Sequence, residues 1–109
     1  MADALELRAK AQWRPEIRTV LAATSSEFVF VRLAPRIVIG RSRDCGLVLD
    51  GPAVSRRHAE LFVHHGELWI EDLGSTNGTT VAGERITRHA LAPGEEVRLG
   101  GEPVRFWLR

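Results

Sequence analysis

The chain has a single cysteine, no apolar run long enough for a membrane span, no continuous apolar segment in its opening stretch and almost no excess of charge. Each shortage removes a class of function. Cys45 alone cannot form an internal disulfide or a zinc site of the paired-cysteine kind, so it reads as a small, reduced, half-buried residue. No apolar stretch approaches the roughly 18 residues of a membrane helix, which argues against a membrane partner. The opening "MADALELRAKAQWRPE" carries acids at Asp3 and Glu6 and no continuous apolar segment, so it does not read as a secretory signal, and a cytoplasmic location is expected. The sequon Asn77-Gly78-Thr79 is then a coincidence of letters rather than a sugar acceptor. Fifteen Lys and Arg face fourteen Asp and Glu, a formal net charge of +1. A nucleic-acid module usually needs a strongly basic domain with a clustered stripe. Arg41, Arg43, Arg56 and Arg57 supply some local charge, but nucleic acid is not expected as a partner.

What is present fits one domain of 109 residues, 44% hydrophobic and 27% charged, long enough to bury a core without staples. Residues 1–16 differ from the rest. "ADALELRAKAQ" is rich in helix formers with few apolar anchors, and Pro15 interrupts any continuation of a helix, so a mobile arm or marginal helix is expected there. Over residues 17–109 the pattern turns to period two. Ile17, Thr19 and Leu21 alternate along one stretch, Val29, Val31 and Leu33 along the next. Ile37 and Ile39, then Ala59, Leu61 and Val63, then "ELWIEDL", Val97 and Leu99, and Val104, Phe106 and Leu108 continue the series. Turn signals separate them, among them Pro35, Gly51-Pro52, Gly66, Pro93-Gly94 and Gly100-Gly101. These sets read as the buried faces of short strands, and many short strands without helical periods predict an all-β, antiparallel β-sandwich or barrel. Asn77-Gly78 predicts a type I′ turn that reverses the chain after "ELWIEDL".

Polar chemistry concentrates in the connections, where binding residues tend to sit. Three segments stand out: "GRSRD" at Gly40 to Asp44, "VSRRH" at Val54 to His58 and "GSTNGT" at Gly74 to Thr79. Each alone is an ordinary polar turn. Ser55, His58 and Asp72 contain the letters of a hydrolytic triad, but no nucleophile elbow accompanies them and no catalytic residue is expected. His64, His65 and His89 lack partners at metal-ligand spacing, so neither a metal nor another cofactor is expected.

In this order and spacing, however, the segments resemble the forkhead-associated (FHA) domain, a phosphothreonine-binding module. The resemblance runs from "IGRSRDCGLVLDGPAVSRRHAEL" through "WIEDLGSTNGTTVAGERI" to "LAPGEEVRLGG", nearly everything after Val38. It implies an FHA/SMAD-like sandwich of about eleven strands whose loops at one end receive a phosphorylated peptide. By the same resemblance Arg41 and Ser55 hold the phosphate, with Arg56 touching phosphate or peptide backbone. Thr76 completes the phosphate site and Asn77 binds the peptide main chain. His58 braces the loops by hydrogen bonds, while Gly40 and Gly78 answer to backbone geometry.

The residue chemistry supports these roles. Phosphothreonine brings nearly two negative charges and three acceptor oxygens. A guanidinium matches two of those oxygens, a serine hydroxyl adds a donor, and an asparagine amide can hold an extended backbone whatever its side chains. Some family members carry a basic residue two positions before the phosphate-binding serine and so prefer an acidic side chain beyond the phosphothreonine. Ala53 stands there, which implies an apolar or loosely read position. The expected partner is a phosphothreonine-bearing protein, the substrate of a Ser/Thr kinase, bound by a monomer. The alternative is a domain of the same fold that associates with an unphosphorylated partner or with itself. Fourteen arginines against one lysine are compatible with a high-GC bacterial gene.

Overall fold

The structure, a computed structural model, describes residues 18–33 and 35–109. The arm or marginal helix expected over residues 1–16 lies outside the described residues. Eleven strands succeed one another: β1 (Arg18–Ala23), β2 (Phe28–Leu33), β3 (Arg36–Gly40), β4 (Leu47–Val48), β5 (Ala59–His64), β6 (Glu67–Asp72), β7 (Thr79–Val81), β8 (Glu84–Ile86), β9 (Arg88–Leu91), β10 (Glu96–Leu99) and β11 (Glu102–Leu108). Among the described residues there is no helix. A six-stranded sheet in the order β2-β1-β11-β10-β7-β8 faces a five-stranded sheet in the order β4-β3-β5-β6-β9. Among the described residues all pairings are antiparallel except the short parallel one between β3 and β4.

Side-chain alternation explains the two layers. In β2, β10 and β11 the residues Val31, Leu33, Val97, Leu99, Val104 and Phe106 point inward and are buried. Ile39, Ala59, Leu61, Leu68, Ile70 and Leu91 meet them from the other sheet. Truncating a fully buried aromatic such as Phe106 would cost about 3–5 kcal/mol through lost contacts and the cavity left behind.

Two expectations require correction. In β1 the buried face is Val20 and Ala22, so Thr19 and Leu21 point outward. Both alternating sets of β1 are largely apolar, and the register decides: Val20 lies opposite Val31 and Ala22 opposite Phe106, both core residues. The second correction concerns Asn77-Gly78, which makes no hairpin. β6 and β7 on either side belong to different sheets, and only Gly78 of the pair has positive φ, at 86°. A type I′ turn needs both central residues there. The two-residue hairpin loops with that signature are His65-Gly66 (φ 50° and 77°) and Ala82-Gly83 (φ 50° and 81°). "GSTNGT" instead carries the chain from one sheet to the other, across the end of the sandwich.

Candidate functional site

The loops β3–β4, β4–β5 and β6–β7 and the β10–β11 turn meet at one end of the sandwich, and backbone contacts lock them together. Gly40 ends β3 against the β4–β5 loop. A Cβ there would lie 2.1 Å from the Arg56 carbonyl oxygen, so no side chain fits. That closeness lets the next amides bond across: Arg41 N–H donates to Ser55 O (3.0 Å), Ser42 N–H to Arg56 O (3.1 Å), and His58 N–H to Ile39 O (2.8 Å). Cys45 donates its thiol to Arg56 O at 3.2 Å. Burial, together with nearby Asp44, pushes that thiol up from its ordinary pKa, although Arg57 opposes the shift.

His58 is fully buried and links three of these segments. Its Nδ1 accepts the Ser55 amide at 3.1 Å, which leaves the proton on Nε2, and Nε2 donates to Gly78 O at 3.0 Å. The same Gly78 oxygen accepts the Gly100 amide at 3.0 Å, which ties in the β10–β11 turn. Among the described residues the Ser55 hydroxyl makes no hydrogen bond to the imidazole, the bond a hydrolytic triad requires. Its Oγ accepts the Thr76 amide, 3.2 Å away.

Around this brace stand the remaining candidates. Arg41 is exposed, and its Nε donates to Val54 O at 3.0 Å. That single bond orients the guanidinium and leaves its terminal nitrogens free among the described residues. Ser55 is half-buried; Thr76 and Asn77 are exposed. Asn77 donates Nδ2 to Ala53 O at 3.0 Å, which joins the β6–β7 loop to the β4–β5 loop. Arg41, Ser55, Thr76 and Asn77 therefore sit on one connected set of loops. Arg56 contributes its carbonyl as a hub of that set, while its side chain extends into solvent without a hydrogen bond among the described residues.

Three residues outside the expected set shape the site. Asp72 accepts hydrogen bonds from the Gly74 and Ser75 amides (2.9 and 3.0 Å) and from the Ser75 and Thr79 hydroxyls (2.5 and 2.8 Å). Burial alone would raise its pKa, but these bonds outweigh it and hold the carboxyl below the usual carboxylate range. An Asp two residues before a Gly is an Asx-turn signal, legible in principle from the letters "DLGS". Gly100 (φ 56°) places its Cα so close to the β4–β5 loop that a Cβ would meet Ala53 O at 2.2 Å, a proximity no local pattern announces. Arg85 lies along Gly78 and donates to Ser75 O at 3.3 Å, which adds a cation to the rim.

A cavity of about 350 Å³, bordered by Leu68, Leu91, Phe106 and Leu108, lies at the other end of the sandwich, near the β5–β6 turn. The loop end itself is an exposed surface of donors, suited to a charged group on an extended chain rather than to an enclosed small molecule.

A β-sandwich that holds an arginine, hydroxyls and an amide on mutually braced loops at one end is built as a recognition module. The chain belongs to the FHA domain family, whose model matches residues 37–100, more than half of its length. β1 and β2 precede that match and complete the six-stranded sheet. The glycogen accumulation regulator GarA of Mycolicibacterium smegmatis is 44% identical over 66 residues, 61% of this chain and 42% of that protein. The FHA domain-containing protein FhaB of Mycobacterium tuberculosis is 43% identical over 71 residues, 64% of this chain and 46% of that protein. The chain thus aligns with under half the length of these curated relatives. A structure solved in a study of phosphothreonine-dependent FHA domain interactions superposes with a TM-score of 0.74 at 30% identity, covering 84% of this chain and 97% of the other.

Proposed function

We propose that this chain is a non-catalytic adaptor that binds phosphothreonine in a partner protein, the substrate of a Ser/Thr kinase, through Arg41, Ser55, Thr76 and Asn77. The observation that carries the reading is the posture of Arg41. Its Nε is held by Val54 O, so the two terminal nitrogens project from a fixed point beside Ser55. A guanidinium presented in this way can grip two phosphate oxygens without losing its charge. The Ser55 oxygen already accepts the Thr76 amide, which leaves its own proton to donate to the phosphate. Thr76 and the exposed Arg56 side chain stand ready to add donors, and Asn77 supplies amide groups to the peptide main chain. His58, Gly40 and Gly78 act by holding the loops in place.

Two or three charge-assisted hydrogen bonds at about 1.5–3 kcal/mol each separate phosphorylated from plain peptide. A net affinity near micromolar, about −8 kcal/mol, is consistent with that number of contacts. Among the described residues no helix is long and apolar enough to cross a membrane. We place the module in the cytoplasm of a bacterium, where it would meet phosphorylated proteins.

The test is calorimetric titration with a phosphothreonine peptide, its unphosphorylated copy and a copy with Glu at the same position. Only the first should bind. Arg41→Ala should weaken that binding by at least about tenfold while costing about 1 kcal/mol of stability, the value of one internal hydrogen bond. Equal binding of phosphorylated and plain peptides overturns the proposal.

A further inference from the structure

Each sheet has two edges, and among the described residues three of the four are poor templates for another strand. β4 has two residues, β8 has three with Glu84 and Arg85 exposed, and β9 has four, beginning at Arg88-His89 and followed by Ala92-Pro93. Short length, charge and proline are the usual ways an edge avoids pairing. β2 uses almost none of them. It has six residues, no proline and one charge, and it pairs with β1 in unbroken register from Phe28 to Leu33.

Two of the three large hydrophobic residues left exposed among the described residues, Phe28 and Phe30, lie on the outward face of β2. Phe28 and Phe30 are 74% and 64% exposed. Phe30 lies in a row with Leu21 of β1 and Trp107 of β11, both half-buried. The five-stranded sheet treats an outward aromatic differently: Phe62 is 7% exposed because Arg36 lies over it at 4.3 Å, with Arg88 beyond. Arg109 approaches Phe30 at 5.8 Å and leaves it open. Adjacent aromatics that no described residue covers, on an edge that no described strand pairs, mark a protein-interaction surface.

The backbone fixes what this edge can accept. Thr24 N–H bonds Glu27 O at the β1–β2 turn. Bonded rungs alternate in an antiparallel pair, so the bonded partners of β1 are Val29, Val31 and Leu33. The N–H and C=O groups of Phe28, Phe30 and Arg32 therefore point away from β1, to the open side.

We infer that this edge pairs with β2 of a second copy, in antiparallel register about Phe30, to give a weak homodimer with one continuous sheet. In that register Phe30 faces its own counterpart in a bonded rung. Phe28 of each copy faces Arg32 of the other, the arginine–aromatic contact that the domain already makes at Phe62 and Phe30. The strand is complementary to itself under a two-fold axis, as an isologous interface requires. Four phenylalanines at about 150 Å² each, with the strand backbones, bury an area at the low end of specific interfaces, so the dimer is weak. This inference does not depend on the phosphothreonine reading, because β2 contributes no residue to that site.

Sedimentation velocity on the full 109-residue chain, from about 10 µM to about 1 mM, tests it. The weight-average mass should rise from 12.1 kDa toward twice that value as concentration increases. Phe30→Lys, which sets like charges against each other across the axis, should stay monomeric throughout, and Arg32→Glu should raise the dissociation constant severalfold by removing the cation from Phe28. Both variants should keep the wild-type melting temperature and phosphopeptide affinity. A wild-type chain that remains at monomer mass across the range overturns the inference, and so does a dimer that survives Phe30→Lys unchanged.

Discussion

Asp72 is the residue on which the "GSTNGT" loop depends, although it need not touch a ligand. Four donors converge on its carboxylate, and its side chain is 12% exposed. Asp72→Asn would turn one acceptor oxygen into a donor that faces other donors, a change worth about 2–3 kcal/mol of stability at neutral pH. The acid dependence has a definite sign. The folded carboxyl sits below its ordinary value, so its contribution is complete above the unfolded pKa of about 3.9 and is lost as pH falls through the folded value. Urea unfolding of the wild type and Asp72→Asn should therefore differ most at pH 7 and converge in strong acid. A gap that stays constant down to pH 2 would mean that the carboxylate charge contributes nothing. The contrast with Arg41 and Ser55 explains what could be seen in advance. Residues proposed to meet a phosphate must be of particular types, and type is visible in letters. Asp72 and Gly100 matter through the backbone atoms they approach, and those come from distant segments.

At the scale of elements, alternation exposed most strands and misplaced one face. In β2 and β11 the polar residues Arg32 and Arg105 mark the outside, so the inward set is clear. β1 has apolar residues on both sides, and only its neighbours β2 and β11 choose between them. Asn77-Gly78 misled for a related reason. The dipeptide favours positive φ locally, but a hairpin also needs two strands in one sheet, and β6 and β7 part company there. Gly66, Gly83 and Gly101 occupy turns where a Cβ would touch nothing, so their role is conformational. Gly100 differs from its neighbour. Gly101→Ala should cost about 1–2 kcal/mol, the penalty of an L-residue at φ 85°, and leave phosphopeptide affinity unchanged. Gly100→Ala adds a clash with Ala53 O, which can be relieved only by moving the loop that holds Ser55. Its affinity should fall at least about tenfold, equivalent to about 1.4 kcal/mol or more. Equal affinities for the two variants, measured by calorimetry alongside thermal melts, would show that the turn does not position the β4–β5 loop.

Across the whole molecule, charge is nearly balanced in sum and uneven in distribution. The loop end exposes Arg41, Arg43, Arg56, Arg57 and Arg85, with the exposed acids Asp44, Asp50 and Glu84 on the same or adjoining segments. Elsewhere, arginines pair with carboxylates, as Arg36 does with Glu60 and Arg88 with Glu71. Such a molecule has a short-range cationic pole rather than a long-range basic field, which suits one doubly charged phosphate better than a polyanion. Raising ionic strength from about 0.1 M to about 1 M shortens the screening length from about 10 Å to about 3 Å. Phosphopeptide affinity should then drop by roughly tenfold, because the arginine contacts are solvent-exposed, while exposed ion pairs worth about 0–1 kcal/mol leave the melting temperature within a few degrees. A duplex oligonucleotide should show no binding at physiological salt. Salt-insensitive phosphopeptide binding would shift the weight of recognition from the guanidinium groups to the neutral donors of Ser55, Thr76 and Asn77. Steep salt-dependent duplex binding would instead mean that the five arginines act as a basic patch, and that the acids beside them fail to limit its reach.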